Sequence, residues 1–248
     1  MKLQSRAVPI LKPVAILLIR QILTEIVLIR HAHSEANAKG VLSGRISGIH
    51  LSATGISQSQ ELITRLGAIN VCELRISPLE RCAETINPWW ESIGKKSNRG
   101  VAIVRDENLI EVDYGKWSGK KLAVLSAHKL WKTVQHNPSA MYFPSGEGLA
   151  QMQERAMRAV HAAIGVKKRG AAVLVSHGDV IKSIVASSLG MHLDDFQRIV
   201  IDPASVTVID FSSSKPRLLL LNDSRADLES FINAPYRKRN LLGGGAGK

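Results

Sequence analysis

Cysteine is scarce in this chain. Cys72 and Cys82 are the only two among 248 residues, and neither stands at a metal-binding spacing. That excludes a disulfide scaffold and the cysteine-rich zinc modules, and leaves two reduced structural thiols of the kind found in a cytoplasmic protein. A long hydrophobic run is also missing. The apolar stretch from Ala7 to Ile19 is interrupted by Lys12 and Pro13. It is too short and broken to span a bilayer, and no small-x-small cleavage site follows it. Residues 1–24 are therefore expected to be an N-terminal extension, with no stable membrane insertion. Internal repeats are absent, and low complexity is confined to Gly243–Gly247. Acidic residues are missing from both ends. Residues 1–24 hold Lys2, Arg6, Lys12 and Arg20, residues 235–248 hold Arg237, Lys238, Arg239 and Lys248, and neither segment has a carboxylate. Of the net charge of +12, only +4 belongs to the rest of the chain. With no nucleic-acid-binding motif and the excess charge at the termini, no nucleic-acid partner is expected.

Between the termini, strand-like and helix-like segments alternate. Short apolar, β-branched runs predict strands over 26–30, 72–76, 101–105 and 171–175. Helical periodicity predicts helices over 54–67, 78–91, 122–135, 147–167 and 179–189, with Ser52 or Thr54 as a cap for the first. Residues 205–211 and 217–221 read as a closing hairpin. The alternation implies a three-layer α/β/α domain: a mostly parallel sheet with helices on both faces, over residues 25–222. Residues 223–248 read as a basic, glycine-rich tail.

Two of these strands end in the same way. Ile26-Val27-Leu28-Ile29 stops at Arg30-His31, and Ala171-Ala172-Val173-Leu174-Val175 stops at Ser176-His177-Gly178. Ligands of open α/β sheets bind beyond the carboxyl ends of the strands, so two imidazoles can face one site. A third strand runs into Ser77-Pro78-Leu79-Glu80-Arg81. There Ser77 reads as an N-cap, Pro78 as the first helical residue and Glu80 as the capping-box partner. Arg81 then falls in the first turn of a helix, where a cation is unfavourable unless an anion binds nearby. A surface arginine on an amphipathic helix is the plain alternative. Glu111 follows the 101–105 strand and precedes a glycine-punctuated turn; taken alone, a loop carboxylate reads equally well. Together, two arginines, two histidines and a carboxyl group suit phosphoryl transfer. Guanidinium forks match phosphate oxygens, a neutral imidazole is a nucleophile near pH 7, and a carboxylic acid can protonate a leaving oxygen. No metal is required by this set.

These motifs occur in a fixed order: Arg30-His31 with Ser34 and Asn37, Leu51-Ser52 with Gly55, Ser77-Pro78-Leu79 with Arg81 and Thr85, Glu111 with Gly115 and Trp117, Pro144-Ser145-Gly146-Glu147, and Ser176-His177-Gly178. In this order, from about Glu25 to Phe211, the chain resembles the histidine phosphatase, or phosphoglycerate mutase-like, superfamily. It also resembles a group of actinobacterial phosphomutases that share the Arg-His-x-x-Ser-x-x-Asn opening and the Gly243–Gly247 tail. The resemblance implies that His31 is the residue phosphorylated. It further implies that Arg30, Arg81 and His177 hold the phosphoryl group, that Asn37 contacts it with Ser34 alongside, and that Glu111 is the proton donor.

Two departures stand out. Ala32 replaces the family's usual glycine, which suggests a tighter site. His33 reads as a rim residue. The 66 residues from Glu111 to His177 lack the long insertion, the Arg-Arg pair and the proline-rich stretch of the glycolytic mutases. That favours phosphomonoester hydrolysis over a phosphomutase reaction, in which 2,3-bisphosphoglycerate would be the cofactor. A non-catalytic phospho-ligand module is the third reading. The expected partner is a small phosphorylated substrate, which the sequence does not specify further, and the oligomeric state is equally unspecified. Lys129, Trp131, Lys132, Tyr142 and Phe143 are candidates for the substrate entrance, with a half-buried helix and loop as the alternative.

Overall fold

The computed structural model describes residues 25–166, 169–225 and 227–232. The expected extension over 1–24 and most of the expected tail lie outside them. Six strands form one sheet: β1 (Glu25–Arg30), β2 (Val71–Ile76), β3 (Ile103–Arg105), β4 (Ala171–Ser176), β5 (Val206–Asp210) and β6 (Arg217–Asp223), in the order β3-β2-β4-β1-β5-β6. The first four are parallel, and β5 and β6 add antiparallel at one edge, as the hairpin reading expected.

Burial on both faces explains the unbroken apolar runs of β1 and β4. Ile26 and Leu28 face one apolar cluster, and Val27 and Ile29 face the other, following the two-residue period of a strand. Helices α1 (Glu35–Ala38), α2 (Ala53–Leu66), α3 (Glu80–Trp89), α4 (Leu149–Ile164) and α5 (Gly178–Ser188) follow in chain order. Leu62 and Leu66 of α2, with Ile86 and Trp89 of α3, enter the cluster on the Val27 side. Met152, Ala156 and Val160 of α4, with Ile181 and Ile184 of α5, enter the other. Ser52 caps α2 by accepting from Gly55 N, as expected.

Register brings the loops together. Arg30 pairs with Ser176, and Ile29 and Ile76 both pair with Val175. The ends of β1, β2 and β4 are therefore level. His31 N donates to Ser176 O (2.9 Å) and Ser77 N to Val175 O (2.9 Å). His31, Ser77 and His177 thus start their loops side by side.

Several expectations are corrected. The helix expected over 78–91 begins at Glu80 with Leu79 in the cap position, and Ser77 and Glu80 form no capping box. The same helix runs past Pro88 into a wider turn, Trp90–Gly94. Proline lacks the N–H and crowds the preceding carbonyl, which loosens the helical ladder around it. The helix expected over 122–135 is two short ones, Leu122–Leu125 and Trp131–His136. The break lies at His128, whose Nδ1 accepts from Leu130 N (3.2 Å) and whose ring meets Trp117 edge-on. Residues 228–232 of the expected tail form a helix instead. Leu228 is buried, and Glu229 Oε2 accepts from Ala68 N (2.8 Å).

Candidate active site

The site is built on the level strand ends. His31 follows β1 and is buried. Its Nδ1 lies 2.8 Å from Ala32 O. A carbonyl oxygen only accepts, so Nδ1 carries the hydrogen and Nε2 of the neutral ring holds the lone pair. Burial, then the neighbouring Arg81 and Arg30 guanidinium groups, hold the His31 pKa well below its ordinary value. The ring is therefore neutral and nucleophilic at neutral pH. Ala32 adopts no positive φ, so the usual glycine is not needed for backbone freedom here. Its N–H donates to Thr85 Oγ1 (2.8 Å), whose hydroxyl donates to Arg81 O (2.6 Å). This two-bond bridge ties the His31 loop to the first turn of α3.

Arg81 is 0 % exposed, and no carboxylate lies within ion-pairing distance of it among the described residues. Nη2 donates to Gly44 O (2.9 Å) and to His177 Nδ1 (3.1 Å), while Nε and Nη1 are buried without partners. Arg30 directs Nη1 to Ile201 O (2.6 Å), and its Nε is likewise buried and unpartnered. A buried cation that has no counter-charge and keeps some donors without acceptors is unfavourable in an empty site and favourable once an anion enters. Arg30 and Arg81 thus leave three buried guanidinium nitrogens without acceptors among the described residues.

His177 is wholly buried, with its ring centroid 5.1 Å from that of His31. Burial and then Arg81 lower its pKa well below the ordinary value. Its Nε2 lies 2.7 Å from Ser77 Oγ. Glu111 Oε1 accepts from Val112 N (2.9 Å), and Oε2 lies 3.9 Å from His177 Nδ1. Burial, and then the charge of Asp179, raise the Glu111 pKa to about 7. Asp179 itself accepts from Tyr114 Oη (2.9 Å). A carboxyl group of that pKa can give or take a proton near neutrality. The Glu111 backbone is fixed from below, because its carbonyl accepts from Arg45 Nε (2.9 Å) and Arg155 Nη2 (3.1 Å). Both arginines pair with Glu147, which also accepts from Asp113 N.

The structure thus gathers Arg30, His31, Arg81, Glu111 and His177. Ser34 is buried and caps α1, accepting from Asn37 N (3.2 Å) and donating to Asn37 Oδ1 (2.9 Å). This cap occupies the oxygen of Asn37 and leaves the amide nitrogen without a protein acceptor among the described residues. His33 is a rim residue bound to Ser52 Oγ through Nδ1 (2.8 Å). Of the entrance candidates, Phe143 is buried against Tyr114 and Trp117, and Trp131 stacks on Trp117, whereas Tyr142 is exposed. The roles of Ser77, Thr85, Arg155 and the Asp179–Tyr114 pair were not read from the sequence. Ser77, Thr85 and Glu147 lay in recognised motifs, but the long-range partners Arg45 and Arg155 carry no local signal. Among the described residues, no group of three or more His, Cys, Asp and Glu side chains is placed to hold a metal ion, and no helix is long and apolar enough to cross a membrane.

Buried guanidinium nitrogens without acceptors beside a free imidazole nitrogen, at the ends of three parallel strands, suit an α/β protein that handles phosphoryl groups. The sequence profile of the histidine phosphatase superfamily (branch 1) matches residues 26–224, and the chain belongs to that superfamily. It is 27 % identical over 205 residues to phosphoserine phosphatase 1 of Hydrogenobacter thermophilus, covering 81 % of this chain and 92 % of that protein. It is 28 % identical over 189 residues to the 2,3-bisphosphoglycerate-dependent phosphoglycerate mutase of Thermoplasma acidophilum, covering 74 % and 86 %. Among solved structures, the α-ribazole phosphatase of Shigella flexneri superposes with a TM-score of 0.71 at 23 % identity, over 82 % of this chain and 98 % of that one. At that identity the likeness establishes the fold.

Proposed function

We propose that this chain hydrolyses small phosphomonoesters through a phosphohistidine at His31. The observation that carries the proposal is Arg81, a fully buried guanidinium that among the described residues has no carboxylate partner and two nitrogens without acceptors, next to an imidazole whose Nε2 has no partner among them either. Arg30, Arg81 and the Asn37 amide hold the three non-bridging oxygens, and His177 adds a contact from Nδ1. His31 Nε2 attacks phosphorus, the bond to the leaving oxygen breaks, and the Glu111 carboxyl gives that oxygen its proton. In the second half, the Glu111 carboxylate takes a proton from water, the hydroxyl attacks the phosphohistidine, and inorganic phosphate leaves with His31 restored. Charge stabilisation comes from the arginines, so the reading requires neither a metal nor a bisphosphate cofactor. The relatives include proteins named as phosphatases and as a mutase, and on this reading the acceptor, water or a second substrate oxygen, would distinguish the two outcomes here.

The test is phosphate release from a panel of phosphomonoesters in the presence of EDTA, with 3-phosphoglycerate followed for isomerisation. Release that disappears in His31→Ala supports the proposal. Isomer with little free phosphate, dependent on added 2,3-bisphosphoglycerate, would replace it with the mutase. Tight phosphate binding without turnover would replace it with the binding module.

A further inference from the structure

The serine that begins the Ser77-Pro78-Leu79 motif has the sequence signature of a helix cap and does not cap the helix. Its hydroxyl is fully buried, accepts a long bond from Leu79 N (3.4 Å), and is turned to the second histidine, with Oγ 2.7 Å from His177 Nε2. The other ring nitrogen faces the anion site, where Nδ1 lies 3.1 Å from Arg81 Nη2 and 3.9 Å from Glu111 Oε2. A guanidinium nitrogen only donates, so in the empty site Nδ1 is the acceptor and the ring hydrogen resides on Nε2. Cys82 Sγ, 3.6 Å from Nε2, is a weak competitor. Its thiol is held protonated by burial, with a pKa pushed up to about 12. Ser77 Oγ is thus the strong acceptor for Nε2–H.

We infer that Ser77 is a positioning residue that anchors Nε2–H of His177, so that His177 gains and loses protons only at Nδ1, the nitrogen facing the transferred group. The inference rests on the proposed reaction and adds a step to it. A phosphomonoester entering as its monoanion gives its proton to Nδ1, and His177 then holds the resulting dianion as an imidazolium that donates from Nδ1. Nε2–H stays on Ser77 throughout. When phosphate leaves as its monoanion, that proton returns with it. Without the hydroxyl, Nε2–H loses its strong acceptor, the ring is free to rotate or exchange tautomers, and Nδ1 is no longer reserved for the ligand.

The experiment combines kinetics with the ring itself. Ser77→Ala is expected to lower kcat for p-nitrophenyl phosphate about 10- to 100-fold, the range for one buried hydrogen bond to a charged group. KM should move less, and Ser77→Thr, which keeps a hydroxyl, should recover most of the loss. Nitrogen-15 spectra of wild-type histidines should show His177 protonated at Nε2 in the free protein and at both nitrogens with orthovanadate bound. In Ser77→Ala the free spectrum should become a tautomer mixture. The inference is overturned if wild-type His177 carries its proton on Nδ1 in the free protein, if Ser77→Ala keeps the wild-type spectrum and rate, or if Ser77→Thr is as impaired as Ser77→Ala. His31-dependent hydrolysis by the wild type is measured in the same assay, so a failure here is separable from a failure of the proposed function.

Discussion

Replacing Glu111 with glutamine keeps the shape of a buried side chain and removes its proton chemistry, so its consequences can be worked out from the structure. Glu111 is buried beside Asp179, and its pKa rises from an ordinary 4.5 to about 7. As the proton donor in the first step, it must be protonated, so kcat/KM for an alkyl phosphate should fall as pH rises through about 7. Glu111→Gln should lower kcat/KM for alkyl phosphates about 10²- to 10⁴-fold, the usual contribution of a general acid. It should lower kcat/KM for p-nitrophenyl phosphate much less, because kcat/KM reports the first half-reaction and nitrophenolate leaves without a proton. Stability supplies a second readout with a defined sign. The folded pKa lies above the unfolded one, so the folded state holds the extra proton. Glu111 is then best tolerated below the unfolded pKa, and stability is lost progressively as pH rises through the folded value. The shift corresponds to about 3 kcal/mol once Glu111 is fully ionised. Glutamine carries no such penalty, so Glu111→Gln should be more stable than wild type at pH 8.5 and close to it at pH 5. Chemical denaturation at the two pH values, run beside the two-substrate kinetics, measures both effects. Equal loss of kcat/KM on alkyl and nitrophenyl esters, or a variant less stable than wild type at pH 8.5, would refute the reasoning.

Other outcomes follow from the same contacts. Arg81→Met should lower kcat/KM at least about 10³-fold yet raise the melting temperature of the phosphate-free protein, because a buried cation without a counter-charge is replaced by an apolar chain of similar reach. Orthovanadate should raise the melting temperature of wild type and leave that of Arg81→Met unchanged. Thr85→Val leaves the buried Ala32 N–H unpartnered and cuts the bridge to Arg81 O. It should lower stability by about 1–3 kcal/mol and reduce kcat, read by denaturant titration and steady-state kinetics.

The sequence carried the fold because each element had a local cause. The apolar runs 26–30 and 171–175 have the length and β-branched content of strands buried on both faces, and their polar endings placed Arg30, His31 and His177 at strand ends. Level strand ends followed from register, which no single segment specifies. Ser77 shows the limit most clearly: Ser-Pro-x-Glu is a sound local signature for a helix start, but a histidine 100 residues away holds the hydroxyl instead. Ser34, a motif position expected at the ligand, also caps α1, a contact with a local sequence cause. The Glu147–Arg155–Arg45 support under Glu111 spans three separate segments and was legible only as a motif without a role. The helix expected over 122–135 breaks at His128, whose ring meets Trp117 edge-on while Trp131 of the second segment stacks on the same indole, a long-range arrangement with no local signal.

The covalent step is the central claim, and trapping it is the most direct measurement. Wild-type protein mixed with a phosphomonoester labelled in its phosphoryl group, quenched in alkali and digested, should yield one acid-labile, base-stable phosphopeptide containing His31. Glu111→Gln, slowed in hydrolysis of the intermediate, should accumulate more of it from p-nitrophenyl phosphate, and His31→Ala should give none. Steady phosphate release with no enzyme-bound label at any time, and a His31→Ala variant that still turns over, would contradict the account.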